Sequence, residues 1–394
     1  MRILIVSFLV PHSGSLSGAG QVIHGAVTAL RGRHEISLIT YVPTEAHDRQ
    51  ALRELRADGV EVFVVGDSWP IPIIRMKRSG ERLLGRLSGW PALGNPRYLD
   101  PRLPALLDRL IRQQRYDILQ VEDIGLGNFN YKSTIPSLLI EHEIRNEEHA
   151  RSTIWGQFDR IQVFTDRDAK ALCDAAPGFR DRVRVNPFGI NVPTIAEPSR
   201  ENPDTVLFVG GFNHRPNVDA AIWLGNEILP RLRSLCPGIC LQLVGSNPPQ
   251  KIRRMTGDGI IVTGRVPSVE PYLDRAAVVL APLRTGGGMR MKVLHAMARG
   301  KAIVTTTVGA EGLIRTTSQL PFVVADSAND IAKSTAELLA SAEKRQILGH
   351  QARDYVRRFH SWSAYRDRLE AIYEELRGSD RDNPHRIVSL SVKP

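Results

Sequence analysis

The stretch TGGGMRMKVLHAMARGKAIVTTTVGAEGL, residues 285–313, gathers the residue types best suited to chemistry. Gly286, Gly287 and Gly288 precede Met289, Arg290 and Lys292, and an apolar helical run follows with one imidazole, His295, inside it. The strand-like run AVVLAPL ends at Leu283, and the pattern starts the helix near Gly288. At such a junction, unpaired backbone N–H groups and the positive end of the helix dipole favour an anion. Glycines without Cβ atoms let it approach the backbone closely. Arg290 and Lys292 add mobile positive charge, and a pyrophosphate is the natural guest. The competing reading is a tight turn with solvated basic residues.

These residues need elements to hold them. The first half alternates β-branched runs (RILIVSF, EISLITYV, VEVFVVG, YDILQVE, IPSLLIEHE, RIQVFT) with helical stretches such as QVIHGAVTALRGR and DRDAKALCDAA. Continuous apolar strands between amphipathic helices predict a parallel sheet covered on both faces. The polar, proline-bearing stretch 191–204 reads as a linker. A second series follows: strand TVLFVGG, helix PNVDAAIWLGNEILPRLRSL, strand CLQLVGS, helix PQKIRRM, strand IIVTGRV, helix VEPYLDRA, strand AVVLAPL, the glycine turn with its helix, and strand AIVTTTV. The expected division is 1–190, the linker 191–204, 205–360, a C-terminal helix 361–378 and a mobile tail 379–394. In open α/β sheets, ligands lie beyond the carboxyl ends of the strands, so two such sheets predict a ligand in the cleft between them.

Bulk properties agree. A chain of 394 residues suits two domains of about 150–200 residues each. Apolar content of 42 % and charged content of 24 % are ordinary for a soluble globular protein. The formal charge of +10 asks for an anionic partner. Nucleic acid is not that partner, because no recognition module with interleaved aromatics is present. Cys173, Cys236 and Cys240 make no metal-ligand set, and so sparse a count suits a reducing cytosol, with the thiols as core filler. The apolar N-terminus MRILIVSFLVPHSG is too short to span a membrane and reads as a buried first strand.

The segment APLRTGGGMRMKVLHAMARGKAIVTTTVGAEGL, with FVGGFNHRPNVDAAIWL and LQLVGSNPP upstream, resembles the donor domain of a family-4 glycosyltransferase with the GT-B fold. The likeness extends more thinly over the first half, where FDRIQVFTDRDAKAL and VRVNPFGI match. It implies two Rossmann-like α/β domains facing across a cleft, a C-terminal helix returning to the N-terminal domain, and sugar transfer from a nucleoside diphosphate sugar with retained configuration. It also implies donor contacts at Gly210 and Gly211 near the diphosphate, and at Gly264, Arg265 and Val266 near the base. Gly18 and Gly20, in the connection SGSLSGAGQVIHG, match glycines that face the donor or acceptor; the plainer reading is a flexible connection. His142, at a strand end in LLIEHEIRNEEH, matches a histidine near the donor sugar, with Glu122 a second candidate of that kind; a lone histidine is otherwise often structural.

The sequence departs from this family at several points. Many members carry two glutamates with seven residues between them; the matching positions are Gly287, as in a subgroup with a GGG turn, and His295. A neutral imidazole offers one donor and one acceptor, so His295 either bonds the ribose or only packs. An arginine and a lysine that usually face the pyrophosphate are matched by Gly211 and Asn217. Arg290, Lys292 and Arg215 are the substitutes, unless they are surface charges. Glu311 either caps a helix or touches the sugar. No metal is required by this scheme, since the cations and the helix end take its place, and no other cofactor is expected. The basic, tryptophan-bearing stretch 68–102 either rests on an anionic membrane face or covers the acceptor site. The expected protein is therefore a cytoplasmic glycosyltransferase of polysaccharide biosynthesis, with a carbohydrate, lipid-linked or small-molecule acceptor. The alternatives are a catalytically silent relative that binds nucleotide sugar as a partner protein, and a nucleotide-sugar epimerase.

Overall fold

The computed structural model describes residues 1–14, 18–41, 46–65, 102–123, 131–142, 144, 152–193, 201–286, 290–313 and 320–381. The chain divides into two compact units: Met1–Gly189 with Tyr365–Pro394, and Ile190–Ala364.

In the N-terminal unit the strands are β1 (Arg2–Ser7), β2 (Glu35–Tyr41), β3 (Glu61–Val65), β4 (Ile118–Asp123), β5 (Ser137–Glu141), β6 (Arg160–Val163) and β7 (Val183–Val185). They form one parallel sheet in the order β3-β2-β1-β4-β5-β6-β7. Its helices are α1 (Gly18–Leu30), α2 (Ala46–Ala57), α3 (Arg102–Gln113), α4 (Ser152–Trp155) and α5 (Asp166–Ala175). Along α3, Leu103, Leu107 and Leu110 recur at helical spacing and are buried against the sheet core of Leu4, Val6, Leu119 and Val121. β5 is buried along its whole length, which is why its apolar run does not alternate.

The C-terminal unit repeats the plan. Its strands are β8 (Asn202–Val209), β9 (Cys240–Val244), β10 (Ile260–Gly264), β11 (Ala276–Ala281), β12 (Ala302–Thr305) and β13 (Val323–Val324), parallel and ordered β10-β9-β8-β11-β12-β13. The helices are α6 (Arg215–Trp223), α7 (Leu229–Leu235), α8 (Gln250–Arg253), α9 (Glu270–Arg275), α10 (Met291–Ala298), α11 (Thr307–Ala310), α12 (Ala328–Leu339) and α13 (Ala342–Phe359). Between α6 and α7 the helix widens into a π-turn at Leu224–Ile228. Pro230 follows directly and has no N–H for the regular ladder. In each unit the strand order reverses beside the first strand, at β1/β4 and at β8/β11. Ligands of such sheets bind beyond the carboxyl ends at that reversal.

The last helix, α14 (Trp362–Arg381), lays Tyr365, Leu369 and Tyr373 into the N-terminal unit, where all three are buried. Arg368 donates to Asn186 at 2.8 Å, and Arg160 and Arg184 both grip Glu375. Among the described residues no helix is long and apolar enough to cross a membrane.

Three expectations need correction. The helix after the glycine turn starts at Met291, not near Gly288; Arg290 has a non-helical ψ of 76° while its side chain reaches back to the preceding turn. Strand β8 starts at Asn202, inside the stretch read as linker, because its exposed polar start still pairs with β11 at Ala276. The cysteines are partly buried rather than core residues, and Cys236 sits at the margin of the C-terminal core.

Candidate functional site

At the β8/β11 reversal, β8 ends in Val209 and runs into Gly210 and Gly211, while β11 ends in Ala281 and turns toward Gly286. Crowding explains the first glycine: a Cβ on Gly210 would stand 2.8 Å from Cγ of Asn217. One strand over, a Cβ on Gly245 would stand 2.0 Å from the carbonyl oxygen of Gly210. The buried Asn217 donates to the Gly211 carbonyl at 2.7 Å and accepts a hydrogen bond from the Lys292 ammonium. That ammonium also lies over the Phe208 ring, 5.4 Å from its centroid. Among the described residues no carboxylate pairs with Lys292. Burial, helped by the charge of Arg290, lowers its pKa to about 8. It thus remains mostly protonated at neutral pH. A half-buried cation whose partners among the described residues are one amide oxygen and one aromatic face lacks a counter-charge there.

Arg290 has a different fate. It is 6 % exposed, and its guanidinium donates to the Val308 carbonyl from Nε at 3.2 Å and Nη2 at 3.0 Å, and to the Gly286 carbonyl at 3.0 Å. The Glu311 carboxylate stands 3.6 Å away. The expected mobile charge is therefore a tie between the turn and the α11 segment. Glu311 is the C-cap of α11, its backbone N–H donating to the Val308 carbonyl, and its side chain faces Arg290; the N-cap is Thr306, which accepts from the Gly309 N–H. Gly287, Gly288 and Met289 lie outside the described residues.

His295, on α10, has its pKa lowered by burial, with Glu270 opposing and Arg299 reinforcing the shift. It is a neutral imidazole at physiological pH, able to donate once and accept once. Gly264 ends β10 with φ +71°, a left-handed conformation that favours glycine. Arg265 beyond it is exposed and Val266 is half-buried. Arg215 is exposed at the start of α6. Gly18 and Gly20 fall within the first turn of α1 rather than in the connection before it, and Gly20 is buried.

The N-terminal unit presents a second constellation. His142, just past β5, places Nε2 2.8 Å from Oε2 of Glu122 on β4. Glu122 is 2 % exposed, and its other oxygen accepts from Gln120 at 2.6 Å; Gln120 in turn accepts from the Tyr373 hydroxyl of α14. A carboxylate only accepts, so Nε2 carries the proton and Nδ1 is the accepting nitrogen. The edge of Phe164 packs on the imidazole at 5.1 Å.

Several residues here escaped the sequence reading. Asn217 stood out only as a missing lysine, yet it holds the lysine that arrives from α10. Arg284, in the turn after β11, is clamped by Asp219 at 2.9 and 2.5 Å and lies over Trp223, tying the turn to α6. His12, His47 and Asp48 converge near the carboxyl ends of β1 and β2. No motif joins any of these residues; only the topology does.

Residues 203–341 match the family model for "Glycosyl transferases group 1". They span β8 through α12, so the Lys292 site lies within the matched domain. No curated protein matches the sequence at a significant level. Solved structures do match in fold. A glycosyltransferase from Rickettsia africae ESF-5 is 12 % identical, with 95 % of this chain and 98 % of that one covered and a TM-score of 0.67. Anabaena Alr3699/HepE in complex with UDP-glucose is 13 % identical over 95 % of this chain and 100 % of that one, with a TM-score of 0.64. An S. aureus TarM variant, solved with Fondaparinux, alpha-GlcNAc-glycerol and UDP, is 10 % identical over 94 % of this chain and 99 % of that one, with a TM-score of 0.63. The fold is GT-B, with two Rossmann-like units of parallel sheet. The matched domain supports a glycosyltransferase.

Proposed function

We propose that this chain is a glycosyltransferase that takes its sugar from a nucleoside diphosphate sugar, with the diphosphate held beside Lys292 at the carboxyl edge of the C-terminal sheet. The observation that carries this reading is the half-buried ammonium of Lys292, held by an amide and an aromatic ring and paired with no carboxylate among the described residues. As the bond from the sugar's anomeric carbon to the β-phosphate oxygen breaks, negative charge grows on that phosphate. A cation already desolvated and already positioned stabilises it without reorganisation. Lys292 takes the role of the basic pair replaced by Gly211 and Asn217, and Arg290 holds the turn in shape. His295 bonds the ribose, and the backbone of Gly264, Arg265 and Val266 meets the base. His142, oriented by Glu122, bonds a sugar hydroxyl through Nδ1. The complexes of similar fold that contain UDP or UDP-glucose make uridine the first base to test.

Retention of configuration, independence from metal in the transfer step and a carbohydrate or lipid-linked acceptor belong to the same reading, as do a cytoplasmic location and peripheral contact with an anionic membrane. Residues 68–101, which motivate the membrane contact, lie outside the described residues. Calorimetric titration with UDP, uridine and inorganic pyrophosphate, followed by a donor-hydrolysis assay, tests the proposal. UDP should bind at least about tenfold more tightly than uridine, since a charge-assisted contact is worth about 1.5–3 kcal/mol. Equal affinities would refute the phosphate seat. The consumption of Arg290 by carbonyls and Glu311 favours one second reading, a silent nucleotide-sugar-binding protein; binding without hydrolysis or transfer across a donor panel would select it.

A further inference from the structure

We propose that His12, His47 and Asp48 form a binding site for a zinc-class divalent cation on the N-terminal unit, separate from the donor chemistry above. His12 follows β1, and Asp48 lies in the first turn of α2, after the neighbouring strand β2. The parallel pairing of β1 with β2 brings the two segments to the same edge of the sheet. Nε2 of His12 is 3.7 Å and Nε2 of His47 is 3.4 Å from the same oxygen, Oδ1 of Asp48. The two imidazoles lie 5.2 Å apart, tilted by 56°, and all three ligand atoms fall within 4.8 Å of one another.

Those separations are long for hydrogen bonds. They come close to the ligand–ligand edge of a tetrahedron, about 3.3–3.6 Å for zinc bonds of about 2.0–2.2 Å. An ordinary first-turn acid would account for Asp48 alone, through the helix dipole. It would not account for two ring nitrogens gathered within 3.7 Å of one oxygen. Two imidazoles and a carboxylate select Zn²⁺, Cu²⁺ or Ni²⁺ over Mg²⁺ and Ca²⁺, which prefer all-oxygen shells. Burial is graded: the His12 side chain is 14 % exposed, Asp48 22 % and His47 57 %. A metal held here would have a sheltered floor and an open side, leaving the fourth position to water. His24 of α1, close enough for its charge to interact with that of His12, keeps a buried Nδ1 without a hydrogen-bond partner, and a metal-bound water is a partner of the right polarity.

The test uses the full-length chain, stripped with chelator and titrated calorimetrically with Zn²⁺, with Mg²⁺ as the control. Wild-type protein should take up one Zn²⁺ per chain with a rise in thermal midpoint, and Mg²⁺ should do neither. Asp48→Asn should weaken Zn²⁺ by at least about tenfold, and His12→Ala/His47→Ala by more than the 10–100-fold that outer-shell changes cost. UDP affinity, which reads the other unit, should be unchanged in both variants. Zn²⁺ affinity in the double variant equal to wild type would place the metal on other histidines or cysteines and overturn the proposal. So would equal binding of Mg²⁺. Should the double variant fail to fold, Co²⁺ added to wild type and to Asp48→Asn decides. An intense visible band of tetrahedral Co²⁺ that weakens in Asp48→Asn supports the site; a weak, variant-independent spectrum refutes it.

Discussion

The two units share one topology and treat a buried charge in opposite ways. At the N-terminal sheet edge, the carboxylate of Glu122 is bonded on both oxygens, by His142 and by Gln120. At the C-terminal edge, the Lys292 ammonium has an amide oxygen and a ring face, with Arg290 nearby making its position worse. The first arrangement is complete, and its product is a fixed imidazole. The second, among the described residues, is short of one negative charge. Desolvation in a protein costs the same kind of energy at either edge, so the difference lies in who supplies the compensation: the protein itself at one edge and, in the proposed function, a diphosphate at the other.

This contrast can be broken at its most compensated point. Glu122→Gln keeps the shape but leaves one acceptor oxygen for two donors, Gln120 and His142, and removes the charge, so the hold on the imidazole is weakened. Sugar turnover should fall by about 100-fold or more, as when an orienting carboxylate is neutralised elsewhere, while UDP affinity stays within about twofold. Equal losses in both would deny the division of labour. At the uncompensated edge, Lys292→Met should weaken UDP by about 10–100-fold in calorimetry and yet raise the thermal midpoint. Lowering this lysine from 10.5 to about 8 represents a burial cost on the order of 3 kcal/mol at neutral pH, which methionine does not carry.

The pH dependence has a definite sign. Diphosphate binding favours the protonated amine, so wild-type UDP affinity should hold below a pH of about 8 and decline above it, whereas the variant shows no such decline at that point. Between about 8 and 10.5 the unfolded chain holds the Lys292 proton more firmly than the folded one, so this residue's cost to stability fades as pH rises through that window. The smallest effect belongs to His295→Ala: about threefold weaker UDP, with pyrophosphate unchanged, because only a neutral hydrogen bond is lost.

Both sheets were legible because parallel strands covered on two faces read as unbroken apolar runs, as in RILIVS and AAVVLA. β13 was not, since two residues, Val323 and Val324, carry no periodicity. Helices α12 and α13 went unread although each has a serine cap, Ser327 and Ser341, accepting from the backbone three residues on. At the candidate site, Lys292 and His142 drew attention through residue type and strand-end position. Glu122 and Asn217 were singled out separately, but neither pairing was legible, because Asn217 is 75 positions from Lys292 and Glu122 is 20 from His142. Arg290 shows the limit from the other side. A basic residue beside a glycine turn suggests an anion whether it faces outward or folds back on carbonyls, and only the coordinates show that this one folds back.

The late arrival of α14 bears on how the protein is made. Ribosomes release the chain from its amino end, so Arg160 and Arg184 emerge 215 and 191 positions before Glu375, the acid that holds them. The amide of Gln120 likewise waits for the Tyr373 hydroxyl, and that of Asn186 for Arg368. The first domain to be translated is thus the last to be finished, with the whole second domain synthesised in between. A recombinant fragment stopping near Gly189 would leave those polar groups and an apolar flank bare, and it is expected to aggregate unless the 362–381 helix is fused to it or added as a separate peptide.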